Sequence, residues 1–238
     1  GVYDDVLDIT WLADANLAAT QYFGVTQYQN SVGAYVWHRA AEWIDAMNVH
    51  NNSGWLGIND WRMPNTAPVN GLRFNLSLSY DGSTDHGYQI GSPVNANNPV
   101  GQSSGFLGSE LSYHYYNNLG GIGTCSEERF DPLIPCIFPD GNWLGNILDP
   151  THQNENISLF ENIQPSYWTS ESIDQFAAFF FVMISGEQRA PIEGSGPSFH
   201  VWAVTDGDHG SALVPVPATA LLFLSAIGGL AFSAGIKY

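Results

Sequence analysis

VYDDVLDITWLAD at Val2–Asp14 and FHVWAVTDGD at Phe199–Asp208 are the stretches that decide the fold. The first sets short apolar runs between aspartates, as a strand and turn entering a core would. The second reads as a closing strand, together with SYWTSES (Ser166–Ser172) and FAAFFFVMI (Phe176–Ile184) before it. The nearly continuous apolar run of FAAFFFVMI belongs deep in a sheet. Between the two ends lies one clear amphipathic helix, VWHRAAEWIDAMNV (Val36–Val49). It brings Ala40, Trp43, Ile44 and Met47 onto one face, with Trp37 at its head. NNSGWLGINDWRMPN (Asn51–Asn65) follows as a Gly/Asn-rich turn region with large apolar anchors, and Leu72–Gly108 is mostly loop. SELSYHYYNNLG (Ser109–Gly120) predicts a short helix capped by Ser109 and ended by Gly120. The order predicts an α+β domain whose last strand returns beside the first.

Composition narrows the class of partner. Charged residues are only 12% of the 238, and 23 acids stand against 6 bases, for a formal net charge of −17. Phosphate backbones are repelled by such a surface, which argues against nucleic acid, and sulfated sugars are disfavoured for the same reason. Polarity comes instead from Asn, Ser, Gly and Thr, a composition common in exported proteins. The chain begins at Gly1 rather than Met, as a mature protein does after loss of a signal peptide and as any trimmed chain does. Cys125 and Cys136 flank a segment rich in Pro and acids; they are expected to close a disulfide loop in an oxidising compartment, the alternative being two buried thiols.

The C-terminal end differs in kind. Residues 1–210 form the globular part, 211–217 a Pro-containing linker, and 218–238 a hydrophobic segment. From Ala218 to Ile236 the nineteen residues carry no charge, enough for about 28 Å of helix. Pro215 and Pro217 block helix before it, and only Lys237 and Tyr238 follow. Ser225, Gly229 and Ser233 recur four apart, with Gly228 beside them, a stripe that lets two helices approach closely.

Two resemblances follow from these residues. The proline pair, apolar helix and basic end resemble the PEP-CTERM sorting signals of bacterial envelope proteins, which implies export and membrane contact through the helix until an exosortase removes it. Val216 stands where such tails usually carry a Glu. The ordered blocks YDDVLDITWLADAN, WHRAAEW, NDWRMPN, SELSYHYYNNLG, LFENIQPSYWTSES and FHVWAVTDGD, from about Tyr3 to Asp208, resemble the Lcl C-terminal-like domain family. That resemblance implies a C-type lectin-like fold, similar to that of the formylglycine-generating enzyme. One relative binds sulfated glycosaminoglycans, an activity for which this acidic chain has no basic patch.

Sites for chemistry are sparse. No G-x-S-x-G elbow, H-E-x-x-H, P-loop or G-x-G-x-x-G occurs, and no enzyme activity is expected. The seven histidines show no pair at i, i+4, and His114 in SYHYY reads as part of an aromatic core or surface rather than a base. Calcium is the one possible cofactor. Asp81, Ser83 and Asp85 alternate as early calcium-loop ligands do, although His86 replaces the Gly at position six and Ser92 the Glu at position twelve. Asp206 and Asp208 form a second acidic pair. Trp55, Tyr115 and Tyr116 are candidate sugar-stacking aromatics, against the commoner fate of burial. Asn51, Asn75 and Asn156 head N-x-S sequons and mark surface. The chain is therefore expected to be a bacterial extracellular or cell-surface protein. Its first expected role is a self-assembling filament or matrix subunit joined through the C-terminal helix, with other copies of itself as partner. The alternative is a monomeric carbohydrate- or matrix-binding module whose tail is only a sorting signal.

Overall fold

The computed structural model describes residues 1–27, 32–88, 108–121, 147, 155–174, 177–189 and 197–210. Within them the chain is a mixed α+β domain, mostly sheet with few helices. Strands β1 (Val2–Asp4), β2 (Ile9–Trp11) and β3 (Ala34–Tyr35) precede helix α1 (Trp37–Asn48). Then come β4 (Thr66–Ala67), β5 (Leu78–Ser79), β6 (His86–Tyr88), β7 (Gly108–Ser109) and helix α2 (Glu110–Tyr113). The closing set is β8 (Ser166–Asp174), β9 (Ala177–Val182), β10 (Glu187–Arg189), β11 (Phe199–His200) and β12 (Val204–Asp206). Cys125 and Cys136, the 211–217 linker and the 218–238 segment with Ser225, Gly228, Gly229 and Ser233 lie outside the described residues. No helix among the described residues is long and apolar enough to cross a membrane.

The strands form a three-stranded sheet β1-β2-β12, a seven-stranded sheet β3-β11-β8-β9-β10-β6-β5, and the pair β4-β7. Strand β9 sits at the centre of the larger sheet, and its Phe179, Phe180 and Phe181 are buried. The end of the domain does return to its beginning: Val204 of β12 lies opposite Trp11 of β2, which also faces Val2 of β1. The single closing strand expected over Phe199–Asp208 is instead two. Its first part, β11, joins the large sheet beside β8 and β3; its second, β12, joins the small one. Val201, Trp202 and Ala203 cross between the sheets with at most 1% exposure. An apolar link suits this crossing because it touches core on every side.

Helix α1 buries Ala40, Trp43, Ile44 and Met47, the face that the 3.6-residue period marks out. Three of the large indoles in the core have their donors satisfied: Trp43, Trp168 and Trp202 donate Nε1–H to the carbonyls of Gln21, Tyr35 and Leu12 at 2.7, 2.7 and 2.8 Å. The turn after α1 leaves no room for a side chain at Gly54, where φ is +80° and a Cβ would stand 1.8 Å from the Ile58 carbonyl oxygen.

The segment Trp61–Asn65 ties these parts together. Asn48, the last residue of α1, exchanges two 2.8 Å hydrogen bonds with the Trp61 backbone. Arg62 pairs with Val204 of β12 through both backbone bonds, at 2.8 and 2.9 Å. The Pro64 carbonyl accepts from the Ser170 amide of β8, and the Asn65 carbonyl from that of Glu110. The Arg62 guanidinium donates to both carboxylate oxygens of Glu110 at 2.8 and 2.9 Å, and its Nη2 to Asp206 at 2.7 Å. Burial works against that charge, but the two carboxylates outweigh it and hold the guanidinium above its ordinary pKa. Glu110 is buried and also accepts the Asn65 amide at 2.7 Å. Replacing Arg62 by Leu strands this carboxylate and is expected to cost about 3 kcal/mol in urea unfolding, at the lower end for a broken buried pair. The double replacement Arg62→Leu with Glu110→Met should recover a good part of that loss, because the unpaired charge goes with it.

Candidate functional site

Residues 109–121 carry the site. Ser109 caps α2 by accepting the Ser112 amide at 3.3 Å. The helix then widens into one turn of π-helix over His114–Asn118, closed by the Leu119 amide on the His114 carbonyl at 2.9 Å. Such wide turns recur at functional sites because they re-aim a side chain. Gly120, with φ +67°, ends the segment.

His114 enters the core, where it stacks on Trp11 with ring centroids 4.0 Å apart and planes at 20°. Phe160 and Trp202 meet it edge to face, each at 5.1 Å. Its tautomer is set from a distance. Asp4 accepts the Val6 and Leu7 amides on one oxygen and the Asn118 amide nitrogen, at 2.5 Å, on the other. An ionised carboxylate only accepts, so the Asn118 nitrogen faces Asp4 and can only donate to Nδ1 of His114, 3.1 Å away. The imidazole proton therefore sits on Nε2, which has no hydrogen-bond partner; nor has Nε1 of Trp11. Burial pushes the His114 pKa down to about 3, so the ring is neutral near pH 7.

Trp11, His114 and Phe160 border a cleft of about 170 Å³. Asp4, Asn118 and Val2 also line it, and exposed Tyr3, Asp5, Asn156 and Leu159 complete the border. Asn156 donates to the Asn118 carbonyl at 2.9 Å, which fixes the far rim to the π turn. Tyr113, close to Asp4 and Asp5, has its phenol pKa raised by burial and by those two carboxylates.

The expected calcium ligands are each engaged elsewhere. Asp81 accepts the amide of Ser83 at 2.9 Å; hydrogen bonding to Ser83 holds its pKa below the usual value. Asp85 is fully buried and accepts the amides of Val69 and Asn75 at 2.7 and 2.6 Å. Asp206 is paired with Arg62, and Asp208 closes its own turn on the Gly210 amide. Among the described residues no group of three or more His, Cys, Asp or Glu side chains is placed to hold a metal ion. Of the proposed stacking aromatics, Tyr115 is fully buried, and Tyr116 donates its hydroxyl to the Gly186 carbonyl at 2.6 Å. Trp55 is half-buried beside Phe23 and His50. The sequence reading did not single out Asp4, Asp5 or Asn118. The available signal was the i, i+4 spacing of His114 and Asn118, which places both on one helical face.

No family model, curated protein or solved structure matches the chain.

The depressed pKa of His114 has a sign that can be measured. Its value of about 3 lies below the ordinary 6.5, so between them the unfolded chain holds a proton that the folded chain does not. This contribution to stability is fully present above pH 6.5 and is lost as pH falls toward 3, by about 1.4 kcal/mol per pH unit. The wild-type unfolding free energy should thus fall more steeply with acid over that window than that of His114→Phe. Equal slopes from parallel urea titrations would mean that the imidazole is not desolvated.

Proposed function

We propose that the chain is an exported, non-enzymatic bacterial surface protein whose C-type lectin-like domain binds carbohydrate. The observation that carries this reading is the cleft, where buried Trp11, His114 and Phe160 border exposed Tyr3 and the polar side chains of Asp4, Asp5, Asn118 and Asn156. An exposed aromatic such as Tyr3 can stack on the apolar face of a sugar ring, and a few placed polar groups fix its orientation. His114 is neutral near pH 7 and Asp4 is committed to amide donors, which suits binding better than proton transfer. The resemblance to the Lcl C-terminal-like family and the sorting-type tail belong to the same reading and supply the surface location. A panel of immobilised glycans probed with the full chain tests it: saturable binding of at least one class is expected, and a blank panel at millimolar glycan would sink the reading.

A second reading rests on the stripe Ser225, Gly229 and Ser233. Through it, uncleaved tails would bundle into the core of an extracellular filament or matrix, with the lectin-like domains outside. Protein isolated from the producing cell surface should then have an intact mass that includes residues 218–238 and form filaments by negative-stain microscopy. Gly229→Leu should abolish them, and normal filaments from that variant would remove the helix-core idea.

A further inference from the structure

We propose that the half-buried rings of Phe23, His50 and Trp55 form the centre of a contact between two copies of this chain, each presenting the same patch to the other. The patch shares no residue with the cleft and stands on the globular part alone.

Two segments build it. Trp43 of α1 donates its indole N–H to the Gln21 carbonyl at 2.7 Å, which fixes the first segment beside the helix. The Trp55 amide donates to the Met47 carbonyl at 3.0 Å, which folds the loop after α1 back onto its end. The three rings then meet in a triangle, with centroids 5.1 to 5.4 Å apart. Each ring is followed or preceded in the chain by an exposed apolar residue. Tyr22 adjoins Phe23, Val49 adjoins His50 and Leu56 adjoins Trp55, and these three are 47, 71 and 46% exposed. Among the described residues six other than glycine have positive φ, and four of them lie here: Phe23, Asn51, Asn52 and Leu56. Left-handed backbone is disfavoured for side chains as bulky as Phe and Leu, so two turns of unfavourable conformation hold these apolar groups at the surface.

Charge identifies the occupant. Residues 15–38 and 46–59, which supply the patch, contain no Asp, Glu, Lys or Arg, in a chain of 23 acids and net charge −17. Two copies of so acidic a protein repel each other over most of their surface, and like charges brought together across a contact are costly. An uncharged patch that meets itself about a two-fold axis avoids that cost. Aromatic residues without charge are also the composition of the centre of a protein–protein contact. The ring planes are tilted 57 to 66° to one another, so together they offer no common flat face on which a sugar could stack.

The test uses the full chain carrying Gly229→Leu, which removes close packing of the tails, and reads its mass by sedimentation velocity in mild detergent. The mass is expected to rise from one copy to two between about 1 and 100 µM. Leu56→Glu should weaken pairing at least tenfold, because each copy then brings a charge into the contact. Val49→Glu should do the same, and decides if the first variant fails to fold. Leu72→Glu, at a leucine 88% exposed elsewhere, should pair as the parent does. A parent that stays single at the upper concentration overturns the proposal, as does pairing that survives Leu56→Glu and Val49→Glu in folded protein. A single parent whose Trp55 indole resonance moves on adding a glycan also overturns it, and makes the patch a sugar site instead.

Discussion

The guanidinium of Arg62, forked onto buried Glu110 and touching Asp206, is the contact on which the rest of the domain hangs. Its backbone extends the small sheet beyond β12, while its side chain reaches the first turn of α2. The neighbouring residues of the same short segment hold α1 through Asn48 and β8 through Ser170. An ion pair alone would be weak evidence for stability, since desolvation consumes much of its attraction. Here the pair is bidentate, and the carboxylate also accepts a backbone amide. What it supplies is register: with α2 fixed against β12, the turn that follows can deliver His114 to one place only.

That delivery explains why the cleft lies where it does. Trp11 belongs to the strand between β1 and β12, so the position of its ring depends on the same closing strand that Arg62 holds. Asp4 sits in β1, pairs with Ile9 of β2, and accepts the amides of the turn between those strands. The carboxylate that orders the hairpin therefore also orients Asn118, and through it the tautomer of His114. One residue performs a local and a long-range task, and the cleft inherits the rigidity of the hairpin.

Elements governed by local periodicity were legible in the sequence. The buried face of α1, the Ser109 cap and the central place of the phenylalanine strand follow from spacing and apolar content alone. The division of Phe199–Asp208 into two strands was not legible, because a link buried on all sides and a buried strand have the same composition. Nor was the cleft. The hairpin of Asp4 and Trp11, the turn of His114 and Asn118, and Asn156 are far apart in the chain, and contacts such as Asn118 with Asp4 and Asn156 with Asn118 bring them together. Tyr115 and Tyr116 show the limit at single-residue scale: both face inward at the wide turn, whose handing of side chains does not follow the 3.6-residue period.

The acidity of the chain has a structural use that its net charge conceals. With 23 acids and 6 bases, ion pairs cannot neutralise the surface. Five of the described aspartates act instead as acceptors for backbone amides: Asp4 for Val6 and Leu7, Asp14 for Asn16, Asp81 for Ser83, Asp85 for Val69 and Asn75, and Asp208 for Gly210. A short carboxylate beside a turn satisfies backbone donors that a sheet protein with many short strands leaves unpaired. Such use disperses the acids, because each is drawn to its own turn rather than to a common point. Alternating aspartates in a Gly/Ser-rich loop can thus imitate a calcium loop in sequence while each holds a different piece of backbone. The same habit fixes the position of Asp4 at the cleft, through the Val6 and Leu7 amides on one oxygen and Asn118 on the other.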